Sequence, residues 1–321
     1  MELDTTPKSP TPRARYRGAL LGLAAGDALG TTLEFTRPGS FAPLTDLVGG
    51  GPFRLAPGQW TDDTSMALCL AESLIVCQGF DAADQMRRYL RWRDTGRWSS
   101  TGRCFDIGAT VASALNRFAQ TGDPLAGSTD PHSAGNGALM RLVPVPLAFA
   151  QDPPAAVAHA GQMSRTTHGA PEAVDACRYY AGLLVGAVQG VPKETLLAPA
   201  FAPAGVDWNA APLAPAIAAI AAGSFKVRHP PAIRGTGYVV QALEAALWAF
   251  HTSDSFATGA LKAVNLGEDA DTTGAIYGQL AGAYYGVEAI PATWRARLSR
   301  AAEIRQLADG LRELAGLGAT P

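Results

Sequence analysis

The chain has 321 residues, 47% hydrophobic and 17% charged, enough to bury a sizeable core as one large domain or two small ones. Its formal net charge of −2, spread without long runs, gives no electrostatic pull toward nucleic acid or an anionic membrane as the main partner. Cys69, Cys77, Cys104 and Cys177 form no CxxC pair and no apolar run reaches the roughly 18 residues of a membrane span, so free thiols and a cytoplasmic location are expected.

Residues 1–12 hold Pro7, Pro10 and Pro12 among Thr, Ser and Lys, which predicts a disordered tail ahead of a single domain over 13–321. The run GALLGLAAG behind Arg13, Arg15 and Arg17 begins late, is short and meets Asp27, so it does not read as a signal peptide. Gly18, Gly22, Gly26 and Gly30 instead lie four apart, along one side of a helix. Each glycine costs a helix interior roughly 1 kcal/mol against Ala, so the row implies close approach by another backbone, unless Gly30 is the C-cap. Thr61, Asp62 and Asp63 then precede a helical pattern with Met66, Leu70 and Leu74 on its buried face. Alone, they read as a capping cluster at the positive end of the helix dipole.

Further helical stretches follow in FDAADQMRRYLRWRDTG, IGATVASALNRFAQTG, PPAAVAHAGQMSRTTHG, APEAVDACRYYAG and GYVVQALEAALWAFHT, the fourth running into a glycine row at Gly182, Gly186 and Gly190. Gly135, Asn136 and Gly137 read as a plain loop before a helix or as a turn whose amides approach a phosphate. His168 in SRTTHG is either a solvent-facing or capping histidine or one that contacts a ligand. Residues 191–223, rich in Ala and Pro, predict a long excursion with a short helix. With alternating β-branched segments almost absent, the fold class is all-α, a compact irregular helical bundle.

A second acidic group closes the series. Asp269, Asp271, Thr272 and Thr273 stand ahead of a helix with its own row, Gly274, Gly278, Gly282 and Gly286. Neither acidic group contains His or Cys, and hard oxygen donors suit Mg²⁺ or Mn²⁺. If the groups meet, the four charges of Asp62, Asp63, Asp269 and Asp271 match two divalent ions. Spacing alone does not show that they meet.

The segments GALLGLAAGDALGTTLEF, GQWTDDTSMAL, CFDIGAT, GNGALMRLVPVPL, SRTTHG, GYVVQALEAAL and EDADTTGAIYGQLAGAYYG, in this order over most of residues 17–288, resemble the ADP-ribosylglycohydrolase family. The resemblance implies a central cleft with two Mg²⁺ or Mn²⁺ ions and removal of ADP-ribose from a modified acceptor. Thr61, Asp62, Asp63, Asp269, Asp271 and Thr272 would be metal ligands, with Glu34 as ligand, neighbour or gate. Asp106, in a motif like that of the arginine-type branch, would meet the distal ribose or the departing guanidinium. Gly135, Asn136, Gly137 and His168 would hold the diphosphate and riboses, and Tyr238 would offer an aromatic face to adenine. ADP-ribosyl-arginine is the leading substrate, with ADP-ribosyl-serine and O-acetyl-ADP-ribose as alternatives. A non-catalytic ADP-ribose-binding protein and another two-metal hydrolase such as a phosphatase are the other readings. The expected state is a monomer.

Overall fold

The two glycine rows at opposite ends of the chain face each other. In the computed structural model, which describes residues 9–318, they lie on helices α1 (Pro12–Gly30) and α13 (Ala270–Tyr285). A Cβ built on Gly18, Gly22, Gly26 or Gly30 would sit 2.2, 2.3, 1.9 or 2.3 Å from the carbonyl oxygens of Gly282, Gly278, Gly274 and Ala270. Numbers that rise along one helix fall along the other, so the pair is antiparallel and packed backbone to backbone. Gly30 is the last residue of α1 and belongs to this contact rather than capping the helix.

Between them run α2 (Asp62–Cys77), α3 (Ala82–Thr95), α4 (Ala109–Thr121), α5 (Pro144–Ala148), α6 (Pro153–Arg165), α7 (Pro171–Val188), α8 (Lys193–Leu196), α9 (Pro215–Ala221), α10 (Ser224–Val227), α11 (Val239–His251) and α12 (Phe256–Val264). After α13 come α14 (Ala292–Arg297) and α15 (Ala301–Leu314). Among the described residues, β-structure is confined to isolated bridges, so the fold is all-α as expected. No helix among them is long and apolar enough to cross a membrane. All four cysteines are free thiols.

Most of the tail expected at residues 1–12 lies outside the described residues. Its end is ordered: the Thr11 hydroxyl accepts the Ala14 amide at 3.2 Å, and Pro12 fills the first turn of α1. The third glycine row differs from the other two. Gly182 and Gly186 of α7 face the side chains of Pro203, Leu196 and Phe201, so they admit the 191–223 excursion and not another helix backbone. That excursion holds two short helices, α8 and α9, where one was expected.

The α1–α13 pair is held in register by buried polar contacts. The Arg15 guanidinium donates to the carbonyls of Ala187, Ala283 and Tyr284, at the carboxyl ends of α7 and α13, where a cation complements the helix dipoles. Helix α15, which the sequence reading did not single out, closes against α1 through Asp309, with Arg13 and Arg17 donating at 2.8 and 2.6 Å. On α13, Gln279 accepts the Val143 amide at 2.9 Å and donates to the Met140 carbonyl at 2.7 Å. The turn after Asn136 is thereby pinned to the central helix, next to the acids at its N-terminus.

Candidate metal centre and adjoining cleft

Because α1 and α13 are antiparallel, the carboxyl end of α1 lies beside the amino end of α13. Asp27, one turn before the end of α1, reaches the start of α2. Its Oδ1 accepts the Thr61 amide at 2.9 Å and the Thr61 hydroxyl at 3.0 Å; its Oδ2 accepts the Thr64 amide at 3.0 Å and the Thr64 hydroxyl at 2.6 Å. A carboxylate from another helix thus does what an N-cap side chain does. The cluster at Thr61–Asp63 is therefore not the cap it resembled, since Thr61 makes no side-chain capping bond. Neither Asp62 nor Asp63 is needed to cap the helix.

The second acidic group meets the first at Thr61. Its hydroxyl lies 3.2 Å from Asp63 Oδ2 and 3.3 Å from Asp271 Oδ2, across 210 residues of sequence. Asp271 Oδ1 accepts the Thr272 amide at 2.8 Å, and Asp269 Oδ2 accepts the Asn136 side-chain amide at 2.7 Å. Glu34 and Asp106 complete the group: each offers a carboxylate oxygen within 4.8 Å of the other and of one from Asp271. Three non-glycine residues here adopt left-handed backbone, Phe35 after Glu34 (φ 59°), Asp106 itself (φ 58°) and Glu268 before Asp269 (φ 56°). Phe35 adjoins the bridge between Thr36 and Glu268: the Phe35 amide donates to the Glu268 carbonyl at 2.7 Å, and the Glu268 amide to the Thr36 carbonyl at 2.8 Å. Local strain of this kind persists where surrounding contacts fix the conformation.

The electrostatics are those of a site with too much negative charge. Burial, followed by repulsion from Asp106 and Asp269, pushes Glu34 up to about 9. Burial and the charges of Asp27 and Asp269 raise Asp106 to about 7. Asp62, Asp63 and Asp271 are raised well above the usual carboxylate range, by burial first and by neighbouring acids next. Two buried oxygens, Glu34 Oε2 and Asp63 Oδ1, lack any hydrogen-bond partner. A set of buried oxygen donors, crowded and incompletely hydrogen-bonded, matches the chemistry of a hard divalent cation.

The acids open onto a cavity of about 760 Å³. Glu34, Asp62, Asp106, Asp269, Asp271 and Thr272 line one part of it, and Gly135, Asn136, Gly137 and His168 another. Thr61 and Asp63 are buried and lie behind this lining. Arg37 and Arg234 add cationic side chains to the wall, Arg234 pairing with Glu268. His168 is 2% exposed, which removes the solvent-facing reading; burial and then the charge of Arg141 lower it to about 3, so it is neutral near pH 7. Tyr238 does not line this cavity. It borders an adjoining groove of about 490 Å³ that shares Thr110, Gly135 and Gly237 with the cavity, and its hydroxyl donates to Glu172 at 2.6 Å.

Sequence reasoning passed over Asp27, Arg141 and Thr167. For Asp27 a signal existed: an acid amid the apolar, glycine-striped α1 must find buried donors.

The profile of the family described as ADP-ribosylglycohydrolase matches residues 8–320. The chain is 44% identical to the ADP-ribosylarginine hydrolase Tri1 of Pseudomonas putida (strain GB-1), over 95% of this chain and 79% of that one. It is 33% identical to the ADP-ribosyl-dinitrogen reductase glycohydrolase of Rhodospirillum rubrum, over 96% and 99% of the two chains. A solved structure of an ADP-ribosylglycohydrolase-related protein complex superposes with a TM-score of 0.82 at 47% identity, covering 95% of this chain and 99% of that one. With the acidic helix starts converged and the match running nearly end to end, the chain belongs to the ADP-ribosylglycohydrolase family and is a hydrolase.

Proposed function

We propose that the cleft hydrolyses ADP-ribosyl-arginine, cleaving the glycosidic bond at the distal ribose with the help of two divalent ions, Mg²⁺ or Mn²⁺. The observation that carries this reading is the convergence of Glu34, Asp106 and Asp271, with oxygens within 4.8 Å of one another, on a cavity that also contains Gly135–Gly137 and His168. The relative from Pseudomonas putida, named an ADP-ribosylarginine hydrolase, supports the choice of substrate.

Thr61, Asp62, Asp63, Asp269, Asp271 and Thr272 are the residues that would hold the ions. When bound, such ions supply Lewis acidity toward water and ribose hydroxyls and offset the carboxylate charge. The chain's own acids do the rest. Positive charge builds at the anomeric carbon as the bond to the guanidinium breaks, as in other glycoside cleavages, and the surrounding carboxylates stabilise it. Asp106 faces the distal ribose or the leaving guanidinium, and a carboxylate of the group accepts the proton of the attacking water. At the other wall, the Gly135–Gly137 backbone and His168 hold the diphosphate and ribose oxygens, and Asn136 keeps Asp269 oriented through its 2.7 Å bond.

The test is incubation of an ADP-ribosyl-arginine substrate with the protein and Mg²⁺ or Mn²⁺. Release of free ADP-ribose is expected. Failure to release it, with no turnover of ADP-ribosyl-serine or O-acetyl-ADP-ribose either, would exclude the reading. Tight ADP-ribose binding without turnover would instead mark a binding protein.

A further inference from the structure

We propose that Arg141 and Thr167 form a positioning chain that holds His168 as a neutral donor, with its proton on Nε2, toward an oxygen of ADP-ribose. This rests on the substrate class proposed above.

The Arg141 guanidinium is fully buried. Its Nη2 donates to Thr167 Oγ1 at 2.6 Å, and its Nη1 donates to the Gly137 carbonyl at 2.5 Å and faces the Met66 sulfur at 3.8 Å. The plane lies over the Tyr89 ring, 4.8 Å from its centroid. None of these partners is a carboxylate, so the cation is held by dipoles and a ring face. An arginine at this depth with no acid opposite it calls for an explanation.

Counting protons supplies one. Arginine only donates, so Thr167 Oγ1 accepts from Arg141. The hydroxyl has a single hydrogen and, among the described residues, no acceptor within reach except His168 Nδ1, 2.8 Å away, so we assign the hydrogen to that contact. Nδ1 must accept, and the ring proton of neutral imidazole resides on Nε2. A Cβ built on Gly135 would lie 3.3 Å from Nε2, and one on Gly137 would lie 2.9 Å from Cε1. The absence of side chains at these glycines therefore leaves room for the ring edge that carries the proton, at the wall His168 shares with the Gly135–Gly137 turn. Because Arg141 also grips the Gly137 carbonyl, one guanidinium fixes both the donor and the turn beside it. Burial and, after it, the Arg141 charge keep His168 neutral, so the ring offers a hydrogen bond to a phosphate or ribose oxygen without becoming an acid.

The experiment compares the wild type with Thr167→Val, which removes the hydroxyl, and Thr167→Ser, which restores it. Nitrogen NMR of histidine-labelled protein, with His168 assigned by its loss in His168→Asn, is expected to show the Nε2-protonated tautomer in the wild type and in Thr167→Ser. In Thr167→Val the tautomers should mix, the dissociation constant for ADP-ribose and KM should each rise about tenfold, and kcat should stay within about twofold. Thr167→Ser should return binding to near the wild-type value. A wild-type His168 protonated on Nδ1, or a folded Thr167→Val that binds ADP-ribose as tightly as the wild type, would overturn the proposal. If Thr167→Val fails to fold, the wild-type tautomer and the serine variant still decide it. A wild type with the expected tautomer but no ADP-ribose binding would remove the substrate reading and, with it, the role of the chain.

Discussion

Thr61 Oγ1 has one hydrogen and lies within 3.3 Å of carboxylate oxygens from three residues, Asp27, Asp63 and Asp271. It can satisfy one of them, so the remaining negative charge must be met by protons or cations. For the metal-free protein the consequence is a pH-dependent stability. Carboxyls raised in the folded state contribute stability that is complete below the unfolded value near 4 and is lost as pH rises through about 7 for Asp106 and about 9 for Glu34. Melting after chelation is therefore expected to show the midpoint falling from pH 5 toward pH 9, with Mn²⁺ restoring more at the alkaline end; a flat profile would contradict this account. At fixed pH, Asp62→Asn and Asp271→Asn should each lower metal-dependent kcat by more than about a hundredfold while the helical circular dichroism stays unchanged. Residue types made these acids visible in the sequence, since acids and hydroxyls at a helix start are a short local pattern. Asp27 was not visible in the same way, because its partners are 34 and 37 residues away and its role as a cap for α2 depends on where α1 ends.

At the scale of elements, the glycine rows turn a packing preference into the spacing between the acidic groups. The spacing of Gly18, Gly22, Gly26 and Gly30 announced a close neighbour but could not name it, since the same four-residue step on α7 receives side chains of the 191–223 excursion instead. The difference is measurable. A Cβ at position 26 would stand 1.9 Å from the Gly274 carbonyl oxygen, a backbone atom of an equally constrained helix. Gly26→Ala is expected to cost about 3 kcal/mol or more in chemical denaturation, and to weaken metal binding by displacing Asp27 and Asp271 relative to each other. At position 182 the nearest atom is Pro203 Cδ at 3.2 Å, in a loop that can yield, and alanine gains helix propensity. Gly182→Ala should leave stability within about 1 kcal/mol of the wild type. Equal costs at the two sites would mean that α1 and α13 are not the rigid frame of the site.

Across the whole molecule, the oxygens proposed to bind the ions come from segments that only the folded chain brings together: Thr61 and Asp271 are 210 residues apart. Helical periodicity revealed the all-α class and most of the helices, yet not this meeting, because nothing local to either segment encodes the antiparallel seat of α13 on α1. The same separation would make bound ions a link between the amino-terminal and carboxyl-terminal parts of the fold. Ligands that bind only the folded state stabilise it by mass action, by about 2.7 kcal/mol at a hundred times the dissociation constant. For a domain of this size that corresponds to a shift of several degrees in Tm. Adding a chelator should lower Tm by that amount in a single transition, because α1, α2 and α13 all contribute to the site and none can release it alone. Excess Mg²⁺ or Mn²⁺ should restore Tm, and Asp271→Asn should abolish the response. Two separated transitions, with only one sensitive to metal, would show that the acids do not join the two ends of the chain into one cooperative unit.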